Sequence, residues 1–194
     1  MHALRLGCPW DAEQTHRSLV RYLVEESAEV VEAIESGSDE HLCEELGDLL
    51  LQVFFHAEIA AEEGRFTLAD VARGIADKLV ARHPYVFTDA PLPDDVLASW
   101  ERRKRAEKAR TSALDGIPLT LPALARAGRV VARARAHGVP VDLPDEPLDA
   151  DAAGAALLAI VARATASGVD AEQALRAALR ALEELVRAAE APGI

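Results

Sequence analysis

Four acidic side chains set the chemical question in this sequence. Glu26 and Glu29 lie three residues apart, and so do Glu45 and Asp48. Residues three apart on a helix stand side by side, so each pair presents two carboxylates in one direction. Glu26 falls on the apolar stripe that Leu19, Leu23, Val30 and Ala33 trace at helical spacing. Glu45 falls on the stripe of Leu42, Leu49, Val53 and Ala60, with Asp48 at its edge. Carboxylates turned toward a core edge lose hydration and repel one another unless a cation sits between them. A hard divalent cation that takes oxygen ligands, such as Mg²⁺, meets that need. The competing reading is that acids on helices form structural ion pairs or a solvated face, and Glu25, Glu32, Glu35, Glu40 and Glu44 read that way. Two pairs on consecutive helices, with Asp48 set inside the apolar run Leu46-Gly47-Asp48-Leu49-Leu50-Leu51, favour the cation site. Gly47 is costly inside a helix and suits a place where another backbone or a ligand comes close.

The elements that must hold these acids are two helical runs within residues 22–63, hinged at Ser36-Gly37-Ser38. Before them, Gly7-Cys8-Pro9-Trp10-Asp11 reads as a turn that stays out of a helix. Asp11 is the expected N-cap of the first long helix, with Gln14 in capping-box position, and that helix runs to Glu35. Asp39 is the expected cap of the second helix, which ends at Gly64. Thr67 with Asp70 opens a third helix through Val71, Ile75 and Leu79, stopped by His83-Pro84. An extended segment from Tyr85 to Pro93 precedes a fourth helix, from near Asp94 through Trp100 to about Lys108. No segment alternates as a strand, so the expected class is all-α.

Composition narrows the function classes. The chain has 194 residues, half of them apolar and 4% aromatic, which fits one domain, or one and part of a second, with a core of Leu, Val and Ala. A net charge of −12 argues against a general nucleic-acid binder. The two cysteines, Cys8 and Cys43, suggest neither a disulfide framework nor a zinc site. With no charged-then-apolar leader and no membrane-length apolar run, the expectation is a soluble, cytoplasmic protein that meets no membrane.

The later helices supply cations. Lys78 and Arg82 lie one turn apart, as do Trp100 and Lys104. Positive side chains beside a magnesium–carboxylate cluster suit a polyphosphate, although the remainder of Arg102-Arg103-Lys104-Arg105 reads as solvated surface. A tryptophan face can stack on any nucleobase; Trp100 is the first candidate and Trp10 the second, with core packing the alternative for each.

Taken in order, Gly7-Cys8-Pro9-Trp10-Asp11-x-Glu13-Gln14-Thr15, Glu25-Glu26-x-x-Glu29-Val30, Glu45-Leu46-Gly47-Asp48-Leu49-Leu50, Glu62-Glu63-Gly64-Arg65-Phe66 and Arg82-His83-Pro84-x-Val86-Phe87 resemble the MazG nucleoside triphosphate pyrophosphohydrolases. Ser112-Ala113-Leu114-Asp115-Gly116-Ile117-Pro118 and Leu121-Pro122-Ala123-Leu124 are similar to that family's segment between two domains. The resemblance covers residues 7 to about 126. It implies a helical bundle completed by homodimerisation, and Mg²⁺-dependent hydrolysis of nucleoside triphosphates to monophosphate and pyrophosphate, with Mn²⁺ as a substitute and nucleotide-pool house-cleaning as the role. The family's metal pattern falls on Glu26, Glu29, Glu45 and Asp48, and its nucleotide and phosphate contacts on Lys78, Arg82, Trp100 and Lys104. Glu25 or Glu29 would then position or deprotonate the attacking water, and Lys78, Arg82 and Lys104 would neutralise the leaving pyrophosphate.

The resemblance also organises the chain: a catalytic domain over 1–110, a linker over 111–122, and a degenerate second copy over 123–194. The repeat aligns Gly47-Asp48-Leu49-Leu50 with Gly154-Ala155-Ala156-Leu157, so Ala155 stands for Asp48 and Ala152 for Glu45. The tail is therefore expected to bind no metal. Two rivals remain. A di-iron bundle needs paired Glu-x-x-His motifs, and only Glu13-x-x-His16 has that spacing near the helices. A non-catalytic nucleotide-sensing or helical interaction module would carry the same residues without turnover.

Overall fold

Local backbone chemistry sets where the long helices start and stop. The computed structural model describes residues 1–107, 111–140 and 142–191. Among them are ten helices and no strand: α1 His2–Gly7, α2 Pro9–Glu13, α3 Val20–Ser36, α4 Asp39–Glu62, α5 Leu68–Arg82, α6 Pro84–Phe87, α7 Val96–Glu107, α8 Ala123–Ala136, α9 Ala150–Ala166 and α10 Ala171–Glu190. The all-α class is the one observed. Gly37 adopts a left-handed conformation at φ 71° and reverses the chain between α3 and α4, a geometry that costs a glycine least. The expected ends of α7 at Lys108 and of the first domain at residue 110 lie outside the described residues.

Several local expectations are corrected. Gly7–Asp11 is not a turn that excludes helix, because Pro9 sits at the first position of α2, where its missing N–H is no loss. Asp11 therefore lies inside α2, and α3 begins separately at Val20 with no side-chain cap. Gln14 donates from Nε2 to the Trp10 carbonyl instead of completing a capping box. Ser38, not Asp39, caps α4: its hydroxyl accepts from the His41 amide at 3.2 Å. The segment after Pro84 is not wholly extended, since α6 closes one turn on Pro84. The Thr67–Asp70 capping box at the start of α5 is present in both directions.

The chain packs as two units, Met1–Arg103 and Lys104–Ile194. In the first, α3 and α4 lie against one another. Leu19 meets Phe55 and Ile59 in a small core, with Met1 and Tyr22 against it. Burial differs from the expected stripes. Leu23 and Val53 remain 37% and 38% exposed, while the buried line of α4 runs Gln52, Phe55, Ile59. Ala60, at the end of the expected line, is buried with them, so the buried face is rotated about the helix axis away from Val53. Much apolar surface on α3, α4 and α5 stays open, including Val31, Ile34, Leu50, Phe54 and Ile75.

In the second unit, α8 and α10 pack together with the segment that precedes α8. Ala113, Leu114 and Ile117 of that segment join Val130, Ala134, Leu179 and Val186 in one core. Arg126 and Glu183 form a buried ion pair inside it at 2.6 Å, and Arg126 Nη1 also donates to the Ile117 and Pro118 carbonyls. Helix α9 packs against α10 and contains no buried residue. No single described helix is long and apolar enough to cross a membrane.

Candidate functional site

Because α3 and α4 are joined by two residues, they run antiparallel, and the level at which their side chains meet follows from chain position. Leu19 of α3's N-cap meets Phe55 and Ile59 far along α4, so residues about two to three turns further along α3 face the early turns of α4. Glu26 and Glu29 therefore come opposite Glu45. One carboxylate oxygen from each of the three lies within 4.8 Å of the other two. Glu26 and Glu45 are half-buried and Glu29 is exposed.

Burial holds the Glu26 carboxyl above its ordinary value, and the neighbouring Asp48, Glu29 and Glu45 charges push it the same way. Asp48 thus acts electrostatically on this cluster, though it stands outside the group of three whose oxygens converge. One polar neighbour of the cluster was not among the expected site residues. His41 Nε2 lies 3.0 Å from Glu45 Oε1. Its signal was available, since a His four residues before a Glu on one helix shares a face with it.

The donor set consists of carboxylate oxygens alone, converging and mutually repelling. Such a set fits a hard divalent cation that prefers oxygen ligands.

The remaining candidates are distributed as follows. Glu25 is exposed on α3. Lys78 and Arg82 are half-buried near the end of α5. The Arg82 guanidinium lies over the Trp100 ring at 5.4 Å from its centroid, a cation–π contact that joins α5 to α7 and that the sequence spacing did not foretell. Lys104 is half-buried one turn beyond Trp100 on α7. Trp10 is half exposed, and its ring meets Tyr22 and Phe55 edge-on at 5.9 and 6.4 Å. It therefore serves in aromatic packing at the N-terminal end of α3 while keeping one face open.

Comparison with known proteins adds an independent line. Residues 14–87 match the model of the MazG nucleotide pyrophosphohydrolase domain. The chain is 49% identical over 195 residues to an uncharacterised 26.1 kDa protein from the blaB 3′ region of Streptomyces cacaoi, covering 98% of this chain and 79% of that protein. It is 44% identical over 194 residues to the nucleoside triphosphate pyrophosphohydrolase of Mycobacterium tuberculosis, covering 98% of this chain and 56% of that enzyme. It is 50% identical over 132 residues to the nucleoside triphosphate pyrophosphohydrolase of Escherichia coli K12, covering 66% of this chain and 50% of that enzyme. The chain thus spans about half the length of these two named pyrophosphohydrolases.

Proposed function

Since the chain belongs to the MazG nucleotide pyrophosphohydrolase family, we propose that it hydrolyses nucleoside triphosphates to nucleoside monophosphate and pyrophosphate with a divalent cation, Mg²⁺ foremost and Mn²⁺ as a substitute. The observation that carries this reading is the convergence of Glu26, Glu29 and Glu45, whose oxygens lie within 4.8 Å of one another. With Asp48, these residues would hold the cation. When bound, it would supply Lewis-acid charge to phosphate oxygens and lower the pKa of water.

The chain's own groups do the rest. Glu25 or Glu29, both exposed on α3, accepts the proton of the attacking water. Lys78 and Arg82 neutralise charge that builds on the pyrophosphate as it departs, and the family resemblance adds Lys104 to that set. Trp100, stacked by Arg82 on one side, offers a flat surface to a base of any identity, with Trp10 the second candidate. Clearance of unwanted nucleotides from the cytoplasmic pool is the role this chemistry suits.

Two structural assignments accompany the reading. The open apolar residues of α3, α4 and α5 support a homodimer in which a second copy completes the helical bundle. Residues 123–194 serve as a degenerate copy that binds no metal. The local pattern supports this: α4 is followed by Gly64 at φ 67° and a capped α5, and α9 by Gly168 at φ 68° and an α10 capped by Asp170.

The test is a panel of standard and damaged nucleoside triphosphates with Mg²⁺, with Mn²⁺ and with chelator, the products being resolved. Monophosphate with pyrophosphate is the expected result. Diphosphate with phosphate would overturn the reaction class, and a folded protein without turnover would leave the nucleotide-sensing alternative.

A further inference from the structure

We propose that His16 and His56 form a proton-sensitive latch that holds the N-terminal strap, residues 1–19, against α4 at neutral pH and releases it in a mildly acidic medium. Three groups in a row define the latch. The Nδ1 atoms of His16 and His56 lie 2.7 Å apart, and their rings stack at 8° with centroids 5.0 Å apart. On the other side of His16, Nε2 is hydrogen-bonded to the Arg65 guanidinium.

This order assigns the protons. A guanidinium only donates, so His16 Nε2 must be an unprotonated acceptor. The His16 proton therefore sits on Nδ1 and is donated to His56 Nδ1, which must also be unprotonated. A second proton arriving at His56 Nδ1 would set two N–H groups against each other at 2.7 Å, and the contact would open.

The surroundings favour that single-proton state. Burial and the His16 neighbour both hold His56 below the ordinary histidine value of 6.5. The carboxylates near this end of α4 are engaged elsewhere: Glu58 by His2 at 2.7 Å, Glu62 by Arg5, and Glu63 by Arg65. A further positive charge on the histidine pair thus faces the Arg65 guanidinium, whose Nε is bonded to Glu63 while its Nη2 meets His16.

Other anchors hold the two ends of the strap: Met1 and Leu19 pack on the core with Phe55 and Ile59, and His2 pairs with Glu58. Arg5 Nη1 donates to the carbonyls of Asp11, Ala12 and Gln14, drawing the strap around itself, while its Nε bonds Glu62 at 2.9 Å. Trp10 rests on Phe55 and Tyr22. Loss of the histidine contact frees the strap around His16, between Trp10 and the buried Leu19, and loosens Trp10 with it. The inference does not depend on the hydrolytic reading, because it is read without substrate.

In full-length protein carrying Trp100→Phe, Trp10 is the single tryptophan. Its emission should shift to the red and its acrylamide quenching should rise as the pH falls from about 7.5 to about 5, with helix content by circular dichroism retained. His56→Asn keeps an acceptor and loses the titrating group, so the step should vanish. Arg65→Met removes the opposing cation, so the step should move to higher pH. An absent step in the parent, an unchanged step in the folded His56→Asn protein, or a step that stays in place in Arg65→Met would overturn the latch. Nitrogen NMR of the wild-type rings at pH 8 gives a readout free of substitution: His16 as the Nδ1–H tautomer and His56 as the Nε2–H tautomer are expected, and the reverse assignment would refute the proposal.

Discussion

Glu26 and Glu45 belong to different helices, yet an oxygen of each lies within 4.8 Å of the other's and of one from Glu29. The tight reversal at Gly37 produces that meeting, because it folds α4 back along α3 with the acids about two to three turns from the hinge. The repulsion stored there is what a bound cation would relieve.

Replacing Glu45 by Gln should abolish Mg²⁺-dependent turnover while the protein stays folded. Loss even of groups that only orient metal ligands costs about 10- to 100-fold, so loss of a direct ligand should exceed about 100-fold in kcat/KM. Asp48→Asn should do the same and should stabilise the metal-free protein by roughly 0.3 kcal/mol, the scale of a like-charge pair on one helix turn. The double variant should give no Mg²⁺ binding by calorimetry. Near-normal rates at saturating Mg²⁺ would remove these residues from the ligand set, and a surviving metal site would contradict the metal-free tail.

Glu26 carries a definite pH signature. Its folded value is raised above 4.5, so its contribution to stability is full below 4.5 and is lost as pH rises through the raised value. Glu26→Gln should therefore melt higher than wild type at neutral pH without metal, with the gap closing toward pH 4.5. Saturating Mg²⁺ should reverse the ranking at neutral pH. Thermal melts at several pH values, with and without Mg²⁺, measure both.

Light scattering at micromolar concentration should return a dimer. Leu50 is half exposed on α4 among the open apolar residues, and Leu50→Lys should shift the protein toward monomer while leaving its helix content intact. A monomeric wild type would refute the dimer.

Arg126 and Glu183 offer a test of the second unit. Removing one partner of a buried ion pair strands the other, so Glu183→Ala should cost about 3–5 kcal/mol. The double change Arg126→Met with Glu183→Leu should recover much of that loss, because neither charge then stays buried alone. Denaturant unfolding of the three proteins supplies the comparison, and equal loss in single and double variants would refute the coupling.

The amino-acid order by itself carried the helical class, the Gly37 hinge, the Thr67–Asp70 cap and the three-residue spacing of Glu26 and Glu29 on one helix. Each depends on neighbours within four residues, where helical period and backbone preference act directly. It misplaced features that compete at the same short range, such as Ser38 against Asp39 as cap of α4, where adjacent residues are both good caps. What only the tertiary structure decided are meetings between distant residues. The burial of Gln52 in place of Val53, Arg82 over Trp100, Arg126 with Glu183, and the Arg65–His16–His56 chain all depend on how helices rotate and dock. A helix displays several apolar and polar lines at once, and the one that becomes buried is chosen by the shape of its partner, which no window along a single helix contains.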